Sequence, residues 1–288
     1  MKRVVIPIVA IVFVLVCVST GFAQLNAAKE GPVVYGHHHL NVTNIDEQMK
    51  FWVDTLGGTT ASFGSGQLVR FPNVHILLSE REPTGGTKGT TVNHIGFWVP
   101  SVSDALAAVR AAGYPIVTRE ELPPALEVKD DVAYIANQDT YVAFVMAPDD
   151  IKVELVENRT QTEPVALHHI HFSTHDVDAM KTWYVRTFNA EAGMRGSFEA
   201  ADLPGVNLTF SSAAEAPEGT QGRSLDHIGF EIEGLENFVQ KLIAMDVEFD
   251  VEVEYRVVEG RTVGVAFFTD ASGTFWELTE GLDDLASS

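Results

Sequence analysis

The sequence predicts an α+β protein built as two tandem copies, each holding two β-α-β-β-β units, and three observations carry that reading. The 288-residue chain matches itself at an offset of 132 residues, so that "HHHLNVTNIDEQMKFWVDTLGG" from His37 lies over "HIHFSTHDVDAMKTWYVRTFNA" from His169. In both copies a β-rich stretch that opens with histidine runs into a segment of helical periodicity. Two or three further short strands then follow, which completes four β-α-β-β-β units, two per copy.

The elements follow in chain order. Residues 1–23 carry Lys2 and Arg3, an apolar run from Val4 to Val18 and small residues up to Ala23, which is the pattern of a secretory signal peptide cleaved after Ala23. A membrane anchor is the alternative, but the run is slightly short and no basic flank follows it. Lipoprotein processing is disfavoured because Val16, not a small residue, precedes Cys17. The first copy is expected over residues 32–157. Its helix places Met49, Trp52, Val53 and Leu56 on one face, and "GQLVRFP", "NVHILLS" and "VAYIANQ" read as strands. "ENRTQTEP" is a polar linker over 158–164 that ends in Pro164. The second copy is expected over 165–282, with Leu235, Phe238, Val239 and Leu242 on one helical face. The register of the repeat slips by one at the glycine-rich loops "PTGGTKG" and "PEGTQG", after which "VNHIGFWV" lies over "LDHIGFEI" and "YVAFVMAPDDIKVELVE" over "GVAFFTDASGTFWELTE".

Composition narrows the function. Cys17 is the only cysteine, so a processed chain has no disulfide, Fe–S cluster or cysteine nucleophile, and any metal must rest on histidine and carboxylate. The net charge of −21 becomes −23 once Lys2 and Arg3 leave with the leader, which disfavours nucleic acid and anionic lipid as partners. No stable membrane association is expected after cleavage, and the place of action is the periplasm or the medium.

The repeat pairs His37 with His169, His39 with His171, His94 with His227 and Glu154 with Glu277. Side chains two apart on a strand share a face, so His37 and His39 point together, and His38, which is Ile170 in the second copy, is expected at the surface or in packing. Two histidines and a carboxylate with open positions suit Fe(II), Mn, Zn or another divalent ion. Read within each copy, the ligand sets are His37, His94 and Glu154 in the first and His169, His227 and Glu277 in the second. His39 and His171 are then candidates for orienting substrate, for acid–base catalysis, or for a supporting or packing role.

At these residues the sequence resembles the vicinal oxygen chelate superfamily, which includes glyoxalase I, fosfomycin- and bleomycin-resistance proteins and extradiol dioxygenases. The opening histidine is followed by Asn44 and Phe51-Trp52 in one copy and by Asp176 and Trp183-Tyr184 in the other. The "HIGF" stretches at His94 and His227, and the turns "PDD" and "DASG" before Glu154 and Glu277, complete the pattern over almost the whole processed chain. The resemblance implies paired modules curling around a trough, with a metal at its floor that a small substrate chelates through adjacent oxygens. It also exposes departures. The fourth, glutamate ligand of glyoxalase I falls near Leu77 and Thr209, and the tyrosine expected ten residues before the carboxylate is Phe144 or Phe267. The second copy lacks the extradiol acid–base histidine, whereas His75 offers such a group in the first. The resulting expectation is an exported metal-dependent enzyme acting on a small molecule, by dioxygenase-like or lyase/isomerase-like chemistry. The alternative is a metal-free protein that sequesters a ligand, in the manner of bleomycin-resistance proteins. Homo-oligomer formation is left open.

Overall fold

The computed structural model describes Leu25, Gly31 and residues 33–282. The proposed leader and its cleavage point lie outside the described residues. The first unit comprises β1 (Val33–Val42), α1 (Ile45–Met49) running into a π-helical turn (Lys50–Thr55), β2 (Thr59–Phe63), β3 (Gly66–Phe71) and β4 (Val74–Glu80). The second comprises β5 (Val92–Val99), α2 (Val102–Ala112), the short α3 (Thr118–Glu121), β6 (Val128–Lys129), β7 (Val132–Ile135), β8 (Thr140–Ala147) and β9 (Ile151–Glu157). The third comprises β10 (Ala166–Thr174), α4 (Val177–Phe188), β11 (Glu191–Arg195), β12 (Phe198–Leu203) and β13 (Val206–Ser212). The fourth comprises β14 (Leu225–Ile232), α5 (Leu235–Ile243), β15 (Phe249–Val258), β16 (Arg261–Thr269) and β17 (Phe275–Glu280).

Several of the motif positions turn out to be structural punctuation. The Asn44 side chain accepts a hydrogen bond from the Glu47 amide and Asp176 accepts one from the Ala179 amide, so both are N-caps that start the helix after the histidine strand. Asp270 holds the turn before β17 by accepting from the amides of Ser272 and Thr274, and it also takes the Tyr184 hydroxyl and the Trp276 indole N–H. One helical face differs from expectation. The π turn widens the period after Met49, so Phe51 as well as Trp52 and Leu56 is buried, while Met49 and Val53 are only partly so.

The two sheets are not the two repeats. One has the strand order β15-β16-β17-β14-β1-β4-β3-β2, joining the first unit to the fourth, and the other runs β11-β12-β13-β10-β5-β9-β8-β7-β6, joining the second to the third. The seams are antiparallel, β1 against β14 and β10 against β5. The polar segment 158–164 therefore bridges strands of one sheet, while the two glycine-rich loops carry the chain from sheet to sheet. They pass against each other, with the Thr84 amide donating to the Gly222 carbonyl at 2.8 Å and the Ser224 amide to the Gly85 carbonyl at 2.8 Å. A continuous apolar core lies between the sheets and their helices. Phe188 of α4 packs on Phe230 and Trp276 of the other sheet, with ring centroids 4.7 and 5.5 Å away. The expectation of paired modules is met, but the pairing runs across the copies.

Candidate metal centres

Because the modules pair crosswise, so do the predicted ligands. In the sheet of the first and fourth units, His37, Gly229 and Glu277 are register partners across β1, β14 and β17. In the other sheet His169, Gly96 and Glu154 form the same row across β10, β5 and β9. One row further on, His39 faces His227 and His171 faces His94. The sets expected within each copy are therefore corrected: His37 joins His227 and Glu277, whereas His94 and Glu154 join His169. A self-comparison aligns the copies but carries no information on which module docks on which.

The glycine of each "HIGF" stretch exists to admit the opposing histidine. A β-carbon on Gly229 would lie 2.0 Å from Cε1 of His37, and one on Gly96 would lie 1.9 Å from Cε1 of His169. Only a residue without a side chain lets the imidazole cross the neighbouring strand and reach the glutamate.

In the first centre, Nε2 of His37 and Nε2 of His227 approach the same oxygen, Oε2 of Glu277, at 2.8 and 3.1 Å. All three side chains are buried, and their ligand atoms lie within 4.8 Å of one another. The Asp226 carboxylate accepts from Nδ1 of His227 at 2.7 Å and is itself fixed by Asn41 and the Gly222 amide. Burial opposes charge on the His227 ring, but the hydrogen bonds to Asp226 and Glu277 outweigh it and push the ring up to about 9. Burial likewise raises Glu277, but the nearby His37 and the bonds from both histidines lower it further, so the carboxylate stays ionised. The ring of His39 lies 4.5 Å from that of His227 and its Nε2 is 2.7 Å from the Ser79 hydroxyl. Phe267 and Phe275 wall the site, with centroids 5.7 and 5.4 Å from His227.

The second centre repeats the row but not the surroundings. His94 Nε2 is 3.0 Å from Glu154 Oε2, and His169 Nε2 reaches the same oxygen at 3.0 Å. His171 belongs to the same buried group, with its ring 4.5 Å from His94. Here an amide, Asn93, takes the place of Asp226 beside Nδ1 of His94, and burial lowers the His94 ring instead of raising it. Arg195, which the sequence reading did not single out, donates from Nη2 to both Glu154 oxygens at 3.3 Å and from Nη1 toward His169 Nε2 at 3.2 Å. In the repeat Arg195 occupies the hairpin position of Phe63, an arginine where the first copy has an aromatic residue.

Other positions settle as follows. His38 is packed, fully buried with Nδ1 2.6 Å from the Tyr35 hydroxyl. The register partner of His37 on β4 is His75 and that of His169 on β13 is Asn207, while Leu77 and Thr209 pair with His39 and His171. His75 is fully buried and both of its ring nitrogens lack a hydrogen-bond partner. Phe267 and Phe144 stand directly beside the glutamates, as register partners of Glu277 and Glu154, so neither glutamate has a tyrosine hydroxyl as its register neighbour on that strand.

This arrangement coincides with sequence comparison. The Glyoxalase/Bleomycin resistance protein/Dioxygenase superfamily profile matches residues 34–125 and 166–278, one match per copy. The chain belongs to this superfamily. Glyoxalase I from Zea mays has the same fold over 89% of this chain and 95% of its own, with a TM-score of 0.67 at 14% identity. A point mutant of that enzyme aligns over 90% and 98% with a TM-score of 0.68 at 14% identity. A protein proposed to be a dioxygenase from Bacillus subtilis aligns over 88% and 90%, with a TM-score of 0.59 at 14% identity. At such identity the likeness is one of fold. A search of curated protein sequences finds no match. Two clusters among the described residues, His37, His227 and Glu277 in one and His94, Glu154, His169 and His171 in the other, bring together groups of the kind that can hold a metal ion.

Proposed function

We propose that the protein is a metal-dependent enzyme in which His37, His227 and Glu277 hold one divalent ion, Fe(II), Mn or Zn, for a small substrate that binds through adjacent oxygens. The observation that carries this reading is the convergence of two imidazole Nε2 atoms on one carboxylate oxygen at 2.8 and 3.1 Å. The three donor atoms lie within 4.8 Å of one another, close enough for one ion to be held by all of them. The donor set, two imidazoles and a carboxylate with room for further ligands, also fits the group.

When bound, the ion supplies Lewis acidity and a template for vicinal oxygens. The chain's own residues do the rest. Asp226 holds Nδ1 of His227 so that Nε2 points at the centre. Burial, and next the neighbouring His227, lowers His39 to about 3, so its ring is neutral near pH 7 and can exchange hydrogen bonds with a substrate while Ser79 fixes its plane. Phe267 and Phe275 turn apolar faces to the site and limit water. Since Phe267 takes the place of a hydroxyl beside Glu277, His39 is the group on this face assigned to proton handling, whether the reaction is dioxygenase-like or lyase/isomerase-like.

Export to the periplasm or the medium is part of the proposal and rests on the apolar run Val4–Val18 and Ala23. Among the described residues no helix is long and apolar enough to cross a membrane. Metal analysis of protein purified without a histidine tag tests the enzyme reading. About one ion per chain, together with turnover of catechols or other vicinal-oxygen compounds, supports it. Metal-free protein that binds such compounds without converting them supports sequestration instead.

A further inference from the structure

The two centres share a row of ligand-type residues, yet only the second has a cation built into it. Arg195 closes β11 at a hairpin whose next residue, Gly196, has φ 59°, and the first copy makes the same turn with Phe63 and Gly64 at φ 60°. The repeat thus puts Phe63 and Arg195 at the same position of the hairpin, and in the second centre the guanidinium reaches the ligand-type residues. Arg195 is 8% exposed. It stands 3.2 Å from His169 Nε2 and 3.3 Å from the Glu154 carboxylate, the atoms that would bind an ion. A divalent cation there would stand a few ångströms from a fixed positive charge in a poorly solvated pocket, where the repulsion is weakly screened.

That guanidinium is not fully used. Its contacts of 3.2–3.3 Å are longer than the roughly 2.7–2.9 Å of strong charge-assisted bonds, and its Nε is buried without a partner, as is Nδ1 of His171 beside it. Both residues line a cavity of about 630 Å³. Lys152, 2% exposed, also lines it and binds Glu121 at 2.6 Å, which Lys88 holds from the other side at 3.1 Å. Within the lining, Arg195 and Lys152 thus balance Glu154 and Glu121, in a chain whose net charge is −21. The rest of the wall combines apolar side chains, among them Leu122, Leu126, Phe144 and Phe198, with polar ones such as Asn137 and Gln138.

We propose that Arg195 stands in for a second metal ion and that the cavity it closes is a metal-independent site for a small monocarboxylate with an apolar or aromatic body. The carboxylate pairs with the guanidinium of Arg195 beside His171, and the body lies against Leu122, Leu126, Phe144 and Phe198. The site is independent of the ion assigned to His37, His227 and Glu277.

Two measurements on tag-free protein test this. In the first, chelator-treated protein is titrated calorimetrically with benzoate, phenylacetate and hexanoate and with the matching amides. At least one acid should bind, its amide about tenfold or more weaker, and Arg195→Met should weaken the acid by a similar factor while Glu277→Gln leaves it unchanged. No binding by any acid up to about 10 mM (a Kd corresponding to less than about 3 kcal/mol), equal binding of acid and amide, or a requirement for metal overturns the proposal. In the second, metal is counted per chain. Arg195→Met should gain one ion, and adding Glu154→Gln should remove it; no gain, or a wild-type ion on His94, Glu154 and His169, overturns the stand-in role. If the first centre holds no metal, the count rises from zero to one instead of from one to two, so failure of the enzyme reading is seen separately.

Discussion

Gly229 is the position where a single methyl group should separate the first centre from its metal. In Gly229→Ala the new β-carbon would fall 2.0 Å from Cε1, 2.4 Å from Nδ1 and 2.5 Å from Nε2 of His37. Ordinary carbon contacts begin near 3.4 Å, so the ring must withdraw by about 1.4 Å, whereas metal–ligand distances tolerate only about 0.2 Å. His37 is then lost as a donor. Disturbing a group that merely supports a ligand costs about 10–100-fold in affinity, so loss of the ligand itself should exceed 100-fold. The overpacking should destabilise the fold by about 1–3 kcal/mol, which leaves the protein folded. The assay is metal content after gel filtration in metal-free buffer, with circular dichroism to verify folding. Gly96→Ala is the internal control, because its β-carbon would strike His169, 1.9 Å away, in the centre that Arg195 occupies. It should leave the metal content at about one per chain. A folded Gly229→Ala protein that keeps wild-type metal would refute the reasoning.

Other consequences can be measured directly. Asp226→Asn keeps the shape but removes the carboxylate beside His227 Nδ1, so metal affinity at the first centre should fall about 10–100-fold in competition with a chelating dye. His39→Ala should leave the metal bound while slowing turnover about 10–100-fold; loss of metal instead would make His39 a ligand. Burial, and next the charge of His37, lowers His38 to about 3 from 6.5, so between those values the unfolded chain binds a proton that the fold excludes. Stability contributed by this ring should therefore fall as pH drops below about 6.5, at about 1.4 kcal/mol per pH unit, and urea titrations of His38→Gln at pH 7 and pH 5 should show a smaller loss than wild type. Phe188→Ala should cost about 3–5 kcal/mol in the same assay, because its ring joins α4 to Phe230 and Trp276 of the other sheet.

Much of the fold was legible because it is written twice. The repeat exposed four similar units, and the helix caps Asn44 and Asp176, the Asp270 turn and the "HIGF" glycines all act locally. Local signals of this kind survive in a single sequence. The docking of first unit on fourth and second on third was not legible, since β1 has its counterpart in β10 and β14 in β5, so either strand of one kind matches either of the other. Hence the individual site residues could be named from spacing, yet their grouping could not. The glycine-rich loops held a clue in their length, enough to cross between sheets, but length alone does not give direction. Arg195 was hidden for another reason: a lone arginine in a hairpin reads as a surface charge until the sheet curls and brings the tip over Glu154.

The most direct test of the account is an anomalous difference map from crystals of tag-free protein loaded with Zn or Fe(II), recorded at the absorption edge of the metal used. The account predicts one peak per chain, bonded by Nε2 of His37, Nε2 of His227 and a carboxylate oxygen of Glu277, with none beside Arg195. A peak among His94, Glu154 and His169 with none at the first centre would contradict it.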